Sequence, residues 1–261
     1  MSDRTSIEWT DTTWNPVRGC SRASSGCEHC YAERMASRFC GPGEPYEGLA
    51  RRAPARWTGE VTLVPRVLAE PLKWRKARRV FVNSMSDLFH AALTDEQIAA
   101  VFGVIAATPQ HTYQILTKRP ERMRAWCASA AHDGGQDWPL VNLWLGVSVE
   151  DQQRADERIP ALLATPAARR FVSCEPLLGP VRFNDVPVLR RVNAGPQLDW
   201  VIVGGESGPG ARPMDEDWVR AIRDQCKAAG VPFFYKQRLL DGGRKIALPL
   251  LDGRQHTECP C

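Results

Sequence analysis

Histidine is scarce in this chain. Five residues are scattered over 261 positions, so no serine–histidine–acid arrangement can be argued from them. No apolar run approaches the roughly 20 residues that a membrane helix needs, and no membrane partner is expected. The opening residues Met1-Ser2-Asp3-Arg4-Thr5 lack the basic segment and apolar stretch of a secretory signal, which points to a reducing, cytoplasmic location. Internal repeats and low-complexity tracts are also missing. With 43% hydrophobic and 25% charged residues, the composition excludes a disordered or fibrous chain. The length suits one α/β unit with one core better than two ordinary domains. Cysteine, by contrast, is plentiful. Nine is an odd number, and a chain of this size does not depend on a disulfide framework, so buried or metal-binding thiols are the expected uses.

From about residue 80 onward, short β-branched or aromatic runs alternate with helical patterns, the signature of βα units around a parallel sheet. Strands are expected at 80–83, 112–116, 143–149, 170–174, 200–204 and 231–235, and helices at about 94–107, 119–131, 150–164 and 215–229. Thr94 and Asp215 open two of these helices as caps, and Gly230 closes the last. A strand near 15–18 and a helix over about 28–39 supply a first βα unit. The total is six or seven parallel strands, which describes a partial, open parallel β/α barrel, TIM-barrel-like but short of eightfold closure. Residues 1–239 are read as a single domain. The Gly-, Pro- and Arg-rich stretch 40–79 is a basic insertion over one rim, and 240–261 is a mobile C-terminal tail.

The strongest local signal is the loop Gly19-Cys20-Ser21-Arg22-Ala23-Ser24-Ser25-Gly26-Cys27-Glu28-His29-Cys30. A turn can aim Cys27 and Cys30 at one ion, and the longer span back to Cys20 lets a third thiol complete a triangle. Structural zinc closes its fourth coordination position, here with Cys40, Cys174 or His29 as candidates. A four-iron cluster on three thiolates keeps one iron free. Unligated cysteines in an ordinary loop are the third alternative. Cys127 and Cys226 read as core fillers within helices.

Every strand of the βα series ends in polar residues. Ser84, Ser86 and Asp87 follow the first, Lys118 and Arg119 the second, and Glu150 the third. Cys174 and Glu175, then Gly204-Gly205-Glu206, then Lys236 follow the rest. Strand ends converge on one face in such folds, so these residues are expected to form a site. Asp87, Glu150, Cys174, Glu175 and Glu206 are the candidates for proton transfer or substrate contact, although Asp87 and Glu150 also read as helix caps. Lys118, Arg119 and Lys236 suit a carboxylate or phosphate. Trp9, Trp14 and Tyr31 either pack beside the cysteine loop, stack on a base or belong to the core. The net charge of +4 is uneven. Residues 50–79 hold nine basic side chains against two acidic ones, a local +7 that leaves the rest at −3. Arg51, Arg52, Arg56, Arg75, Arg78 and Arg79 are the candidate contacts to a nucleotide or nucleic acid, or else a solvated surface.

The cysteine loop resembles a widened form of the radical S-adenosylmethionine signature. More closely, Ile7-Glu8-Trp9-Thr10-Asp11-Thr12-Thr13-Trp14-Asn15-Pro16 followed by Cys30-Tyr31-Ala32 is similar to a bacterial and bacteriophage "three-Cys-motif" family. Ser84–Phe89, Thr117-Lys118-Arg119-Pro120, Cys174–Leu178 and Gly204–Gly208 extend the likeness over about residues 5–237. The resemblance implies a 4Fe–4S cluster on Cys20, Cys27 and Cys30, S-adenosyl-L-methionine as cofactor and a 5′-deoxyadenosyl radical acting on substrate. Ser84, Ser86, Lys118, Gly204, Gly205, Glu206 and Lys236 are the corresponding cofactor-binding candidates. Gly204-Gly205-Glu206 reads equally as a phosphate- or ribose-binding turn. An electron-donor protein, and room for a further protein partner, are implied too. The alternative is a zinc-stabilised, non-catalytic nucleic-acid-binding protein.

Overall fold

A computed structural model describes residues 5–133, 138–183, 197–239 and 244–260. Elements are numbered in chain order. Seven neighbouring strands run parallel: β1 (Thr12–Trp14), β6 (Arg79–Val82), β7 (Thr112–Thr117), β8 (Leu143–Ser148), β9 (Arg169–Cys174), β10 (Trp200–Gly204) and β11 (Phe233–Leu239). An eighth, β12 (Lys245–Ala247), pairs antiparallel with β11. The sheet curls into a half-barrel, and α3 (Asp95–Ala106), α4 (Pro120–Asp133), α5 (Gln152–Leu163) and α6 (Glu216–Ala229) alternate with its strands. The expected open, mostly parallel α/β sheet is therefore present.

The strand sequences are nearly continuous apolar runs because both faces are covered. Alternation then sorts them. Val80, Ile115, Leu145, Val147, Val172, Val201 and Tyr235 share one large core with Ile98, Ile105, Met123, Ile159 and Ile222 from the helices. Residues of the other parity, Phe81, Trp144, Phe171, Trp200 and Phe234, meet Trp9 on the concave side in a separate aromatic cluster. Gly146 is a small residue in that layer, beside Phe171. A Cβ there would stand 2.6 Å from the Phe171 ring, so glycine is what lets Phe171 lie across the half-barrel.

Local signals set the helix ends. Thr94 and Gln97 form a capping box on α3, Asp151 accepts from Arg154 N at the start of α5, and Asp215 caps α6. Gly230 closes α6 in the left-handed region at φ 66°. The cap readings of Asp87 and Glu150 give way to these neighbours.

Four boundaries differ from expectation by more than two residues; one is β11, which runs over 233–239 rather than 231–235. The first strand is 12–14 rather than 15–18, because Pro16 has no N–H for a ladder. β2 (Val17–Arg18) pairs instead with β5 (Thr62–Leu63). The first helix, α1 (Tyr31–Arg38), starts later than expected, after a single 3-10 turn at Ser25–Cys27. Within the insertion, β3 (Ala50–Arg52) and β4 (Ala55–Trp57) form a hairpin whose Ala50 and Trp57 pack on Ala32 and Ala36 of α1; the short α2 (Pro65–Leu68) follows. The described part of the segment 240–261 is not a free tail. After β12, Thr257 bridges Phe234, His256 O accepts from Tyr235 N at 2.9 Å, and Glu258 O accepts the Trp200 indole N–H at 2.7 Å. Residues 240–243 and 261 lie outside the described residues.

Candidate functional site

The carboxy ends of the parallel strands and the cysteine loop enclose a cavity of about 180 Å³. Cys20, Cys27 and Cys30 line it, together with Ser84, Ser86, Asp87, Lys118, Glu175, Gly205, Glu206 and Lys236. Three expected site residues stand apart. Cys174 belongs to the other parity of β9 and lies buried in the sheet–helix core, where burial pushes its thiol pKa up. Glu150 is fully buried, held by Arg158 at 3.0 Å, and accepts from Gly26 N at 3.4 Å. Gly204 ends β10 with its backbone against Gln237 rather than lining the cavity. A Cβ on Gly26 would come to 3.1 Å from the Glu150 carboxyl carbon, so this glycine permits the loop to rest on that buried carboxylate.

Each acidic candidate is matched with a cation. Asp87 accepts from Phe89 N, Thr117 Oγ1, Lys118 N and Arg119 Nη1, at 2.7–3.2 Å. Glu175 meets Lys236 Nζ at 2.5 Å and Gln237 Nε2 at 3.2 Å. Glu206 is gripped by the Arg212 guanidinium and by Arg212 N at 2.8 Å. Burial opposes ionisation of Glu206, but the Arg212 hydrogen bonds and charge outweigh it and hold the carboxyl below its ordinary value.

Two of these arginines also hold the cysteine loop. Arg119 Nη2 donates to Ser21 O at 3.0 Å and Ser21 Oγ at 2.9 Å; Arg212 Nη2 donates to Ser25 O at 2.8 Å and Nη1 meets Glu28 at 2.9 Å. Arg34, on α1, donates to Ser207 O and to Pro209 O, joining the helix after the cysteines to the Gly204–Gly208 loop. The Ser84 and Ser86 hydroxyls are engaged internally, by Asn15 Oδ1 at 3.2 Å and Val17 O at 2.9 Å. Tyr31 OH donates to Ser84 O, and Trp14 sits in the sheet–helix core.

The three loop thiols are free and partly accessible. Burial, with the Asp87 charge, pushes the Cys20 thiol up to about 12, against the pull of Arg119. Burial raises Cys30 as well, while the Lys118 ammonium favours its thiolate. Each of these two also responds to the charge on Cys27, so the sulfurs share one electrostatic neighbourhood. The described residues hold no set of three or more histidine, cysteine or acidic side chains already gathered about a metal position. The donor chemistry nevertheless fits a thiophilic centre: three free thiols line one polar cavity, with Arg119 beside Cys20 and Lys118 beside Cys30. Binding requires the sulfurs to draw further together. Of the fourth-ligand candidates, His29 lines the same cavity, whereas Cys174 faces the helices and Cys40 bonds back to Ser37 O.

Sequence reasoning missed Arg158 and Arg212, and it placed Asn83 and Ser173 among the polar strand ends without giving them a role. Arg158 had a signal: it falls on the apolar face of α5 beside Ala155, Ile159 and Leu162, where a charge needs a buried partner. Arg212 had none, standing in an aperiodic Gly-Pro loop.

Fold and site together define an α/β protein with a cysteine-rimmed, charge-paired cavity at the carboxy ends of parallel strands. The chain belongs to the family described as "Protein of unknown function (DUF5131)", which it matches over residues 4–260. No curated protein and no solved structure matches it.

Proposed function

We propose that this cavity is the active site of an iron–sulfur enzyme of the radical S-adenosylmethionine kind on a TIM-barrel-like frame, acting on a nucleotide or nucleic acid. The observation that carries the reading is the placement of three free thiols, Cys20, Cys27 and Cys30, on the lining of a polar strand-end cavity. These three would hold a 4Fe–4S cluster. The chemistry such a group supplies when bound is one-electron cleavage of S-adenosylmethionine, giving a 5′-deoxyadenosyl radical that takes hydrogen from substrate. The chain's own contribution is positional. Arg119 and Arg212 fix the loop backbone at Ser21 and Ser25, between Cys20 and Cys27, and Lys236 beside Glu175 offers a cation and an anion to a zwitterionic ligand. An electron-donor protein belongs to the same reading. Arg51 and Arg56, exposed and directly opposite each other on the hairpin, supply the polyanion contact.

Anaerobic reconstitution with iron and sulfide tests it. The expected protein is coloured, binds about four irons per chain and releases 5′-deoxyadenosine on reduction, and Cys20→Ala, Cys27→Ala and Cys30→Ala each abolish all three properties. Colourless protein with stoichiometric zinc overturns it. His29 on the same cavity wall gives that outcome a specific alternative: a Cys₃His zinc site stabilising a non-catalytic nucleic-acid-binding protein, which chelator would unfold.

A further inference from the structure

The cavity lining contains three buried polar groups with nothing to bind. Trp9, Asn83 and Ser173 all line it and are 2%, 3% and 0% exposed. Trp9 Nε1, Asn83 Nδ2 and Ser173 Oγ have no hydrogen-bond partner among the described residues. Native proteins leave few such groups, and each one asks for an explanation. Three on the lining of one cavity point to a ligand that satisfies them.

Their mounting is rigid. Asn83 stands in the left-handed region at φ 58°, which asparagine tolerates better than most residues. Its Oδ1 accepts from Val17 N at 3.2 Å, which fixes the amide so that Nδ2 is the free end. Ser173 is in register between Ser148 of β8 and Ile202 of β10. Trp9 packs on Phe81 with ring centroids 4.6 Å apart, and Phe81 and Leu116 line the same cavity as apolar surface. Apolar lining of this kind suits the face of a flat ring. None of the three groups is charged, and two of them can only donate.

We propose that this part of the cavity is a subsite for a nucleobase with carbonyl or ring-nitrogen acceptors along one edge, of the guanine or uracil type. Asn83 Nδ2 and Trp9 Nε1 donate to that edge, Ser173 Oγ donates or accepts, and Phe81 and Leu116 cover the ring. Adenine presents an amino donor where guanine presents a carbonyl, so it leaves a donor facing a donor. The proposal rests on the nucleotide reading above but not on the cluster.

Calorimetric titration of the full chain as purified, with whatever metal it carries, against guanosine, uridine, cytidine and adenosine tests it. Guanosine or uridine should bind about tenfold more tightly than adenosine, the size of effect that one unmade buried hydrogen bond produces. Asn83→Asp keeps the Val17 contact and the backbone conformation but exchanges the donor for an acceptor, and should shift the preference towards adenosine. Ser173→Ala removes the hydroxyl alone and should weaken the preferred nucleoside by about tenfold. Near-ultraviolet circular dichroism checks that each variant is folded, and Ser173→Ala keeps the test decisive if Asn83→Asp is not. Four nucleosides bound equally, none bound, or two folded variants that bind like the parent would overturn the subsite. Cluster assembly without nucleoside binding removes this proposal and leaves the cluster standing; nucleoside binding by a protein that never takes up iron does the reverse.

Discussion

A carboxylate that already accepts from four donors, as Asp87 does, has little capacity left to take a proton from a substrate. Its chemistry is to aim Arg119, and through Arg119 the backbone beside Cys20. Glu206 does the same for Arg212 and Ser25. The residue types at the strand ends were legible in the sequence, but their pairing was not, since Arg119 and Arg212 reach across from loops that no periodicity connects. The pairing has a measurable sign. Because Glu206 is held below its ordinary pKa of 4.5, the stability it contributes is complete above that value and is lost as pH falls through the lower folded-state value. Thermal unfolding followed downward from neutral pH should show an acid limb that Glu206→Gln makes shallower. An unchanged limb would mean that Glu206 and Arg212 do not hold each other in solution.

Among the elements, the β3–β4 hairpin is built against its own electrostatics. Arg51 lies directly opposite Arg56, both exposed and without a carboxylate partner among the described residues, whereas Arg52 meets Glu44 at 3.1 Å and Arg79 meets Asp11 at 3.4 Å. Like charges across a pair cost roughly 0.2–1 kcal/mol. The double change Arg51→Gln with Arg56→Gln should therefore raise folding stability by about 0.5 kcal/mol while weakening oligonucleotide binding. Its log–log salt slope should become shallower by about 2, as expected if each arginine neutralises one phosphate. Equal slopes for parent and variant would remove the hairpin from the polyanion contact. The basic stretch was visible in the sequence, but which of its arginines stand free depends on register and on distant acids. Helix and strand positions from residue 80 onward were readable because caps, C-terminal glycine and apolar runs all act within a few neighbours.

For the whole molecule, the six parallel strands from residue 79 onward followed from the alternation of their elements, but the side each strand turns inward did not. Runs buried on both faces carry no polar mark of inside and outside, and this is why Cys174, adjacent in sequence to Glu175, belongs to the helix layer instead of the cavity. Parity also gives Phe171 its place on the concave side. Phe171→Ala should cost about 3–5 kcal/mol by chemical denaturation and loosen Trp9, which is 6.3 Å from it between ring centroids. A loss below about 1 kcal/mol would show that the concave layer collapses to fill the gap. The same layer ties together segments made at very different times. Glu8 meets Lys245 at 3.2 Å across 237 positions, and Glu258 supplies the acceptor for the Trp200 indole. During synthesis on the ribosome, Trp9 and its neighbours emerge early and must stay soluble until the segment around residues 245–258 has been translated. A chain halted before that point carries an open aromatic surface, so its fate is set by chaperones and proteases rather than by its own folding.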